Sequence, residues 1–183
     1  EVLYLTRLVN DLYELSMSDI GALSYKKTQV DPAQLLETAV EVFSPRFEGK
    51  NIRIQTRFPL QPVEDLWADP QRLNQLFGNI MENCLNYTDL NGSLEIRLDR
   101  NKDNIFIDFL DSAPGVEEKD LPKLFDRLYR VESSRSRAHG GAGLGLSICK
   151  SIIEAHEGSV EAKQSPHGGL WIRIIFPRRT LKS

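Results

Sequence analysis

At 183 residues, 40% of them hydrophobic and 27% charged, the chain has the make-up of one globular domain with a real core and room for a small appendage. Its 23 basic and 26 acidic residues give a net charge of −3, against the basic excess expected of a nucleic-acid binder. No apolar run approaches the roughly 20 residues of a membrane span and no signal peptide is visible, while the two cysteines, Cys84 and Cys149, lack a partner motif and read as reduced, buried thiols.

In chain order, Val2, Leu5, Val9 and Leu12 alternate spacings of three and four, widened by Leu8 and Leu15, which predicts a helix seam ending near 18–21. Such a seam is either the first helix of the domain or half of a helical hairpin. The linker or edge strand SYKKTQVDP and a fresh helix start at Asp31-Pro32 favour the hairpin. Because Glu1 opens in mid-helix, the chain is expected to be a piece of a longer protein, with any membrane segments upstream. A helix over 32–48, a strand over 52–58, a helix over 70–87 and strands over 93–100 and 104–110 follow. A short helix (117–128), a polar loop (129–142), a helix (143–157) and strands over 159–164 and 169–176 complete the order. The strands fall in adjacent hairpins with helices enough for one face, which predicts an α+β two-layer sandwich rather than a doubly wound sheet.

Three segments carry chemistry. In QLFGNIMENCLNYT, Leu73, Leu76, Phe77, Ile80 and Cys84 form a buried stripe, and Asn79, Asn83 and Asn86 form a second beside it, flanked by Glu82. Asparagine is a mediocre helix former, so three on one face need a reason; their carbonyls are hard, neutral ligands suited to Mg²⁺ shared with substrate phosphates. In DSAPGV, Asp111 ends an alternating strand before a tight turn, where it can accept from an exocyclic amine such as that of adenine, and Gly115 permits close backbone approach. The third, GGAGLGLS, has Walker A spacing, but Leu146 stands at the lysine position and a polar run rather than a strand precedes it, so a P-loop is excluded. The loop opens into a helix whose amides supply an anion site, with charge left to Mg²⁺ and to Arg127, Arg130, Arg135 and Arg137 nearby.

Taken together and in this order, the segments resemble the catalytic ATP-binding domain of two-component sensor histidine kinases, of the gyrase/Hsp90/histidine kinase/MutL superfamily. NIMENCLNYT resembles its N box, DSAPGV its first glycine box, LFDRLYR its F box and GGAGLGL its second glycine box. The resemblance implies residues 31–178 as the ATP-binding domain in the Bergerat fold, with a mixed sheet covered on one face. It implies 1–24 as part of the second helix of the dimerisation and phosphotransfer hairpin, 25–30 as linker and 179–183 as tail. ATP and Mg²⁺ are the implied cofactors. Asn79 and Glu82 are the implied catalytic pair and Asn83 the metal ligand, with Asn79, Asn83 and Asn86 toward the phosphates. Asp111 would read the adenine amine beside Gly115, Tyr87 would stack near the base and Arg130 would contact phosphates. Gly141, Gly143 and Gly145, with Leu144 and Leu146, would form the lid hinge and phosphate loop. The sequence departs from the family pattern at Asn86 (usually Lys or Arg), Ala113 (glycine), Leu128 (aromatic) and Ala142 (Thr or Ser).

His139, His156 and His167 all lie inside this region without a phosphoacceptor context, and His156 reads as a helix-end residue bonded to terminal carbonyls, so the accepting histidine is expected upstream of Glu1. The implied partners are the chain's own hairpin in a homodimer and a cognate response regulator, with no nucleic acid. The implied setting is the cytoplasmic side of a bacterial inner-membrane protein. A gyrase- or Hsp90-like ATPase and a degenerate nucleotide-binding scaffold are the rival readings. Residues 130–142, polar and glycine-ended, have few core-forming side chains and are expected to act as a lid ordered by triphosphate. Hydrogen exchange should therefore slow across them when a non-hydrolysable ATP analogue and Mg²⁺ are added; unchanged exchange at saturation rejects the lid.

Overall fold

Two Asp-Pro steps start two of the long helices of the computed structural model, which describes residues 2–60, 63, 66–131 and 143–179. Asp31 caps α2 (Pro32–Glu48) by accepting from Ala33 N at 2.9 Å. Asp69 caps α3 (Pro70–Tyr87) by accepting from Gln71 N at 3.0 Å and Arg72 N at 3.2 Å. In each case Pro occupies the first helical position, where a missing N–H costs nothing. Ahead of them α1 (Val2–Asp19) packs on the domain through buried Leu15, and its Glu14 pairs with Arg72 and accepts from Gln75 Nε2 at 2.7 Å. Leu5, Val9, Leu12 and Tyr13 on the same helix remain exposed.

The main sheet has five strands in the order β2 (Arg53–Arg57), β4 (Ser93–Arg100), β5 (Asn104–Ser112), β7 (Gly168–Pro177) and β6 (Ser159–Gln164), all antiparallel except the parallel pair β2 and β4. Period-two alternation decides its faces. Leu94, Ile96 and Leu98, Ile105, Ile107 and Phe109, and Ile172, Ile174 and Phe176 point into the core under α2, α3 and α4 (Gly145–Ala155). On the open face Asp108 accepts from Trp171 Nε1 at 2.7 Å and from Arg173 Nε at 2.7 Å. The expected two-layer α+β sandwich is therefore the observed one.

Three local differences have physical causes. β1 (Thr28–Val30) and β3 (Leu66–Ala68) form a small antiparallel ribbon, so strand occupies the end of the expected linker; three-residue strands carry no periodic signal. The helix expected over 117–128 is reduced to one 3₁₀ turn at Leu121–Lys123. Pro122 removes a donor, Asp120 gives its carboxylate to Tyr129 Oη at 2.6 Å instead of capping, and Leu128 turns left-handed at φ 60°. The last helix starts at Gly145 rather than 143 because Gly143 sits at φ 77°.

His156 ends α4 and ties it to α3. Nδ1–H donates to Ile152 O at 2.7 Å, which leaves Nε2 to accept from Asp69 N–H at 3.0 Å. The ring is buried between Tyr25 and Phe176. Burial lowers its pKa below the usual histidine value despite the bond to Ile152 O, and nearby Lys27 pushes the same way while Asp69 and Glu157 oppose. Because the unfolded chain takes up the proton first, this contribution to stability is complete above about pH 6.5 and is lost as the pH falls below it. Urea unfolding should show that acid-side slope, and His156→Gln should flatten it; equal slopes in the two proteins reject the assignment.

Candidate functional site

The centre of the site is one buried carboxylate. Asp111 sits at a register shift near the end of β5, is 4% exposed, and its Oδ1 accepts from Leu170 N of β7 at 2.6 Å. Burial drives the Asp111 pKa up to about 7, opposed by the Leu170 amide and the Cys84 thiol. A carboxylate held at that edge is a strong acceptor with little water to satisfy it.

Gly169 makes this placement possible. A Cβ there would stand 2.1 Å from Asp111 Oδ1 and 2.4 Å from Ser112 O, so only glycine lets β7 approach the turn. Gly115, expected as a point of close approach, is exposed, and a Cβ on it would lie 3.0 Å from Gly168 O. Asp89 N donates to Ala113 O at 3.1 Å, which ties the end of α3 to the same turn. At that helix end Tyr87 is half-buried, and Thr88 is buried with its hydroxyl unpartnered among the described residues.

Along α3, Asn79, Asn83 and Asn86 are half-buried beside the buried stripe, as the wheel predicts. The thiol of Cys149 on α4 donates to Leu76 O of α3 at 3.7 Å, one turn before Asn79. Cys149 is one helical turn beyond Gly145, so the asparagine stripe and the start of α4 adjoin. Glu82 lies on the flank of the stripe: both its oxygens bind Arg46 of α2, at 2.6 and 2.9 Å, and it takes a further bond from Asn86 Nδ2 at 3.4 Å.

At α4, Leu144 is buried and offers no side-chain cap, and the first turn holds no acidic residue, so its amides are left for an anion. A Cβ on Gly145 would meet nothing within 4 Å, which leaves this approach open, and Leu146 is half-buried beside it. Ser147 turns inward and donates to Leu144 O at 2.8 Å, confirming that the P-loop spacing is coincidental. Gly143 O accepts from Leu128 N at 3.0 Å, and a Cβ on Gly143 would lie 2.9 Å from Tyr129 O and 3.2 Å from Arg130 Cγ. The glycine segment thus rests on the stretch that carries half-buried Arg130. Gly141, like Arg135, Arg137 and most of the expected lid, lies outside the described residues.

The parts fit a magnesium nucleotide: a buried acceptor for an amine, a stripe of neutral oxygen donors and an uncapped helix start. Among the described residues no group of three or more His, Cys, Asp or Glu side chains could hold a metal by themselves. A groove of about 760 Å³ along the other side of α4, lined by Tyr25, Phe125, Lys150 and Glu154, includes none of Asn79, Asn83 or Asp111. Sequence reasoning missed Gly169 as part of the site; its role arises from where β7 meets Asp111.

A family profile described as histidine kinase-, DNA gyrase B-, and HSP90-like ATPase matches residues 68–180. The chain is 49% identical over 177 residues to the signal transduction histidine-protein kinase BaeS of Escherichia coli, covering 97% of this chain and 38% of that protein. It is 34% identical over 182 residues to the sensor protein SphS of Synechococcus elongatus, covering 95% and 44%. The chain thus spans less than half the length of these curated relatives. Among solved structures, full-length ShkA in complex with AMPPNP superposes with TM-score 0.83 at 25% identity, over 98% of this chain and 37% of that one. The Acinetobacter baumannii histidine kinase AdeS superposes with TM-score 0.80 at 21% identity, over 98% and 81%.

Gly169→Ala should destabilise the fold by about 3 kcal/mol in urea unfolding, because backbone rather than a flexible side chain blocks the new methyl. A variant as stable as the parent rejects the close approach.

Proposed function

Because the chain belongs to the histidine kinase-, DNA gyrase B-, and HSP90-like ATPase family, we propose that it is the ATP-binding catalytic part of a sensor histidine kinase. In the whole protein it passes the γ-phosphoryl of Mg·ATP to a histidine on the dimerisation hairpin, for relay to a response-regulator aspartate. The observation that carries the reading is Asp111, a buried carboxylate held at the end of β5 by Leu170 N–H, which would accept from the exocyclic amine of a purine. Such an acceptor favours adenine and repels the carbonyl that guanine presents at the same place.

Asn79 and Asn83 would face the phosphates, with the Asn83 carbonyl as the ligand to magnesium. Bound Mg²⁺ would supply charge neutralisation for the triphosphate. The uncapped amides at Gly145 and Leu146 would take phosphate oxygens, with Arg130 adjacent, and Tyr87 would lie against the base. Glu82, whose oxygens both bind Arg46 of α2 in this state, would act with Asn79 in the chemistry of transfer. Phosphoryl transfer asks the protein mainly for positioning and charge, and these groups supply both.

Histidine as acceptor, rather than water, is supported by the histidine kinases among the relatives and by α1 seated directly against α3 and α4. We assign residues 1–24 to the hairpin, 25–30 to the linker and 31–178 to the catalytic domain. The domain would work on the cytoplasmic side of the membrane; no helix among the described residues is long and apolar enough to cross one.

The test is to mix the chain with a separate hairpin carrying the acceptor histidine and to follow labelled phosphate from ATP. The expected outcome is acid-labile, Mg²⁺-dependent label on the hairpin, greatly reduced by Asn83→Ala. Release of inorganic phosphate alone favours a gyrase-like ATPase, and absence of nucleotide binding favours a degenerate scaffold.

A further inference from the structure

His167 sits in the turn between β6 and β7, yet its ring is bonded two strands away, to Glu95 of β4. Nε2 lies 2.9 Å from Glu95 Oε2; a carboxylate can only accept, so Nε2 carries the proton. Because β5 runs between β7 and β4, this bond straps the turn across the open face. It crosses at the level of Leu110, the register partner of both Glu95 and Trp171. The acceptor is firm: Arg97 binds both Glu95 oxygens at 2.7 Å, and against burial Arg97 and His167 hold that carboxyl down to about 2. The turn closes on itself, with Ser165 N–H donating to Gly169 O at 2.9 Å and Gly168 N–H donating to Ser165 O at 2.9 Å. His167 N–H donates to Ser165 Oγ at 3.1 Å, so ring and turn form one piece.

The residues that leave this turn are those that hold the recognition carboxylate. Leu170 N–H donates to Asp111 Oδ1 at 2.6 Å, and Gly169 packs on the same oxygen. Here the ladder between β5 and β7 is irregular, its register shifting between Leu110 and Ser112. Regular pairing is therefore interrupted where β7 must be placed against Asp111. The strap from His167 to Glu95 gives that end of β7 a second anchor.

Resting on the reading of Asp111 as the acceptor for the adenine amine, we propose that His167 is a positioning residue for base recognition. Its bond to Glu95 fixes the β6–β7 turn, and the turn, through Leu170 N–H, fixes the Asp111 carboxylate for the base. An acceptor held in advance loses less freedom when nucleotide binds, which sharpens the preference for adenine over guanine. His167 acts only through Leu170 and Asp111.

The experiment is calorimetric titration of the chain with ATP and with GTP, in magnesium, with a thermal midpoint for every variant. His167→Gln keeps an N–H near the place of Nε2, whereas His167→Asn carries the same amide one methylene short. His167→Asn should weaken ATP roughly 2- to 5-fold, the scale of an exposed ion pair, and leave GTP unchanged. His167→Gln should bring ATP affinity back to near that of the parent. The two variants should unfold at the same midpoint, so that their difference in affinity is not one of stability. Glu95→Ala should match His167→Asn, and the two together should cost no more than either alone. In the Asp111→Asn background, His167→Asn should add nothing. Equal ATP affinity of the Gln and Asn variants overturns the proposal, as does an equal loss for GTP or a loss that persists beside Asp111→Asn. If Asp111→Asn leaves the preference for ATP intact, the base-recognition reading itself fails and takes this one with it. If it abolishes the preference while His167→Asn keeps it, only the role of His167 falls. Should Glu95→Ala not fold, the comparison of Gln with Asn at 167 decides alone.

Discussion

The arrangement of the domain hangs on one buried hydrogen bond, from the backbone N–H of Asp69 to Nε2 of His156. Asp69 is the N-cap of α3 and His156 the C-cap of α4, so the bond fixes one end of each helix to the other. The Asp69 carboxylate also accepts from Lys26 N at 2.8 Å, and Lys27 Nζ reaches Ala155 O at 2.6 Å, which brings the segment after α1 to the same point. Burial alone would raise the Asp69 pKa, but the amides of Lys26, Arg72 and Gln71 outweigh it and hold the carboxyl below its usual range. With these ends pinned, the remaining freedom of α3 and α4 is small. The asparagine stripe and the start of α4 are brought together by packing, before any ligand is considered.

Asp111 obeys the opposite electrostatic logic. Asp69 is surrounded by backbone donors and stays ionised easily; Asp111 has the Leu170 amide at 2.6 Å, and burial raises its pKa to about 7. A carboxylate left under-satisfied in a folded protein costs stability, and such a cost is tolerated where a ligand supplies the missing donor. The two aspartates, both buried and both at the ends of secondary structure, show how the count of donors decides between a structural and a recognising role.

Much of this was legible in the residues. Asp31-Pro32 marks the start of α2 to the residue, and the alternation in β4, β5 and β7 marks the sheet and its buried face. The asparagine stripe follows from helical period alone, and Asp111 from its place before a turn. The rest depends on contacts between distant segments. Leu66–Ala68 becomes strand only because Thr28–Val30 lies beside it. The 117–128 helix fails because Asp120 is diverted to Tyr129, a bond no local pattern announces. Glu82 and Cys84 sit on one helix, yet the first is claimed by Arg46 of α2 and the second is buried in the core, according to which neighbour each side faces.

The parallel pairing of β2 with β4, Arg53 against Ser93 through Arg57 against Arg97, bears on how the chain comes off the ribosome. A parallel neighbour cannot be reached by a tight turn; the chain must first cross over, here by way of β3 and α3. β2 is therefore made well before its partner and must wait unpaired while α3 is synthesised. Its sequence, RIQTR, suits that wait: one apolar residue among four polar or charged ones, with all four exposed even in the finished sheet and Ile54 half-buried. A strand so poor in hydrophobic side chains is a weak template for stray pairing, and nascent chains crowded on one message gain protection from it.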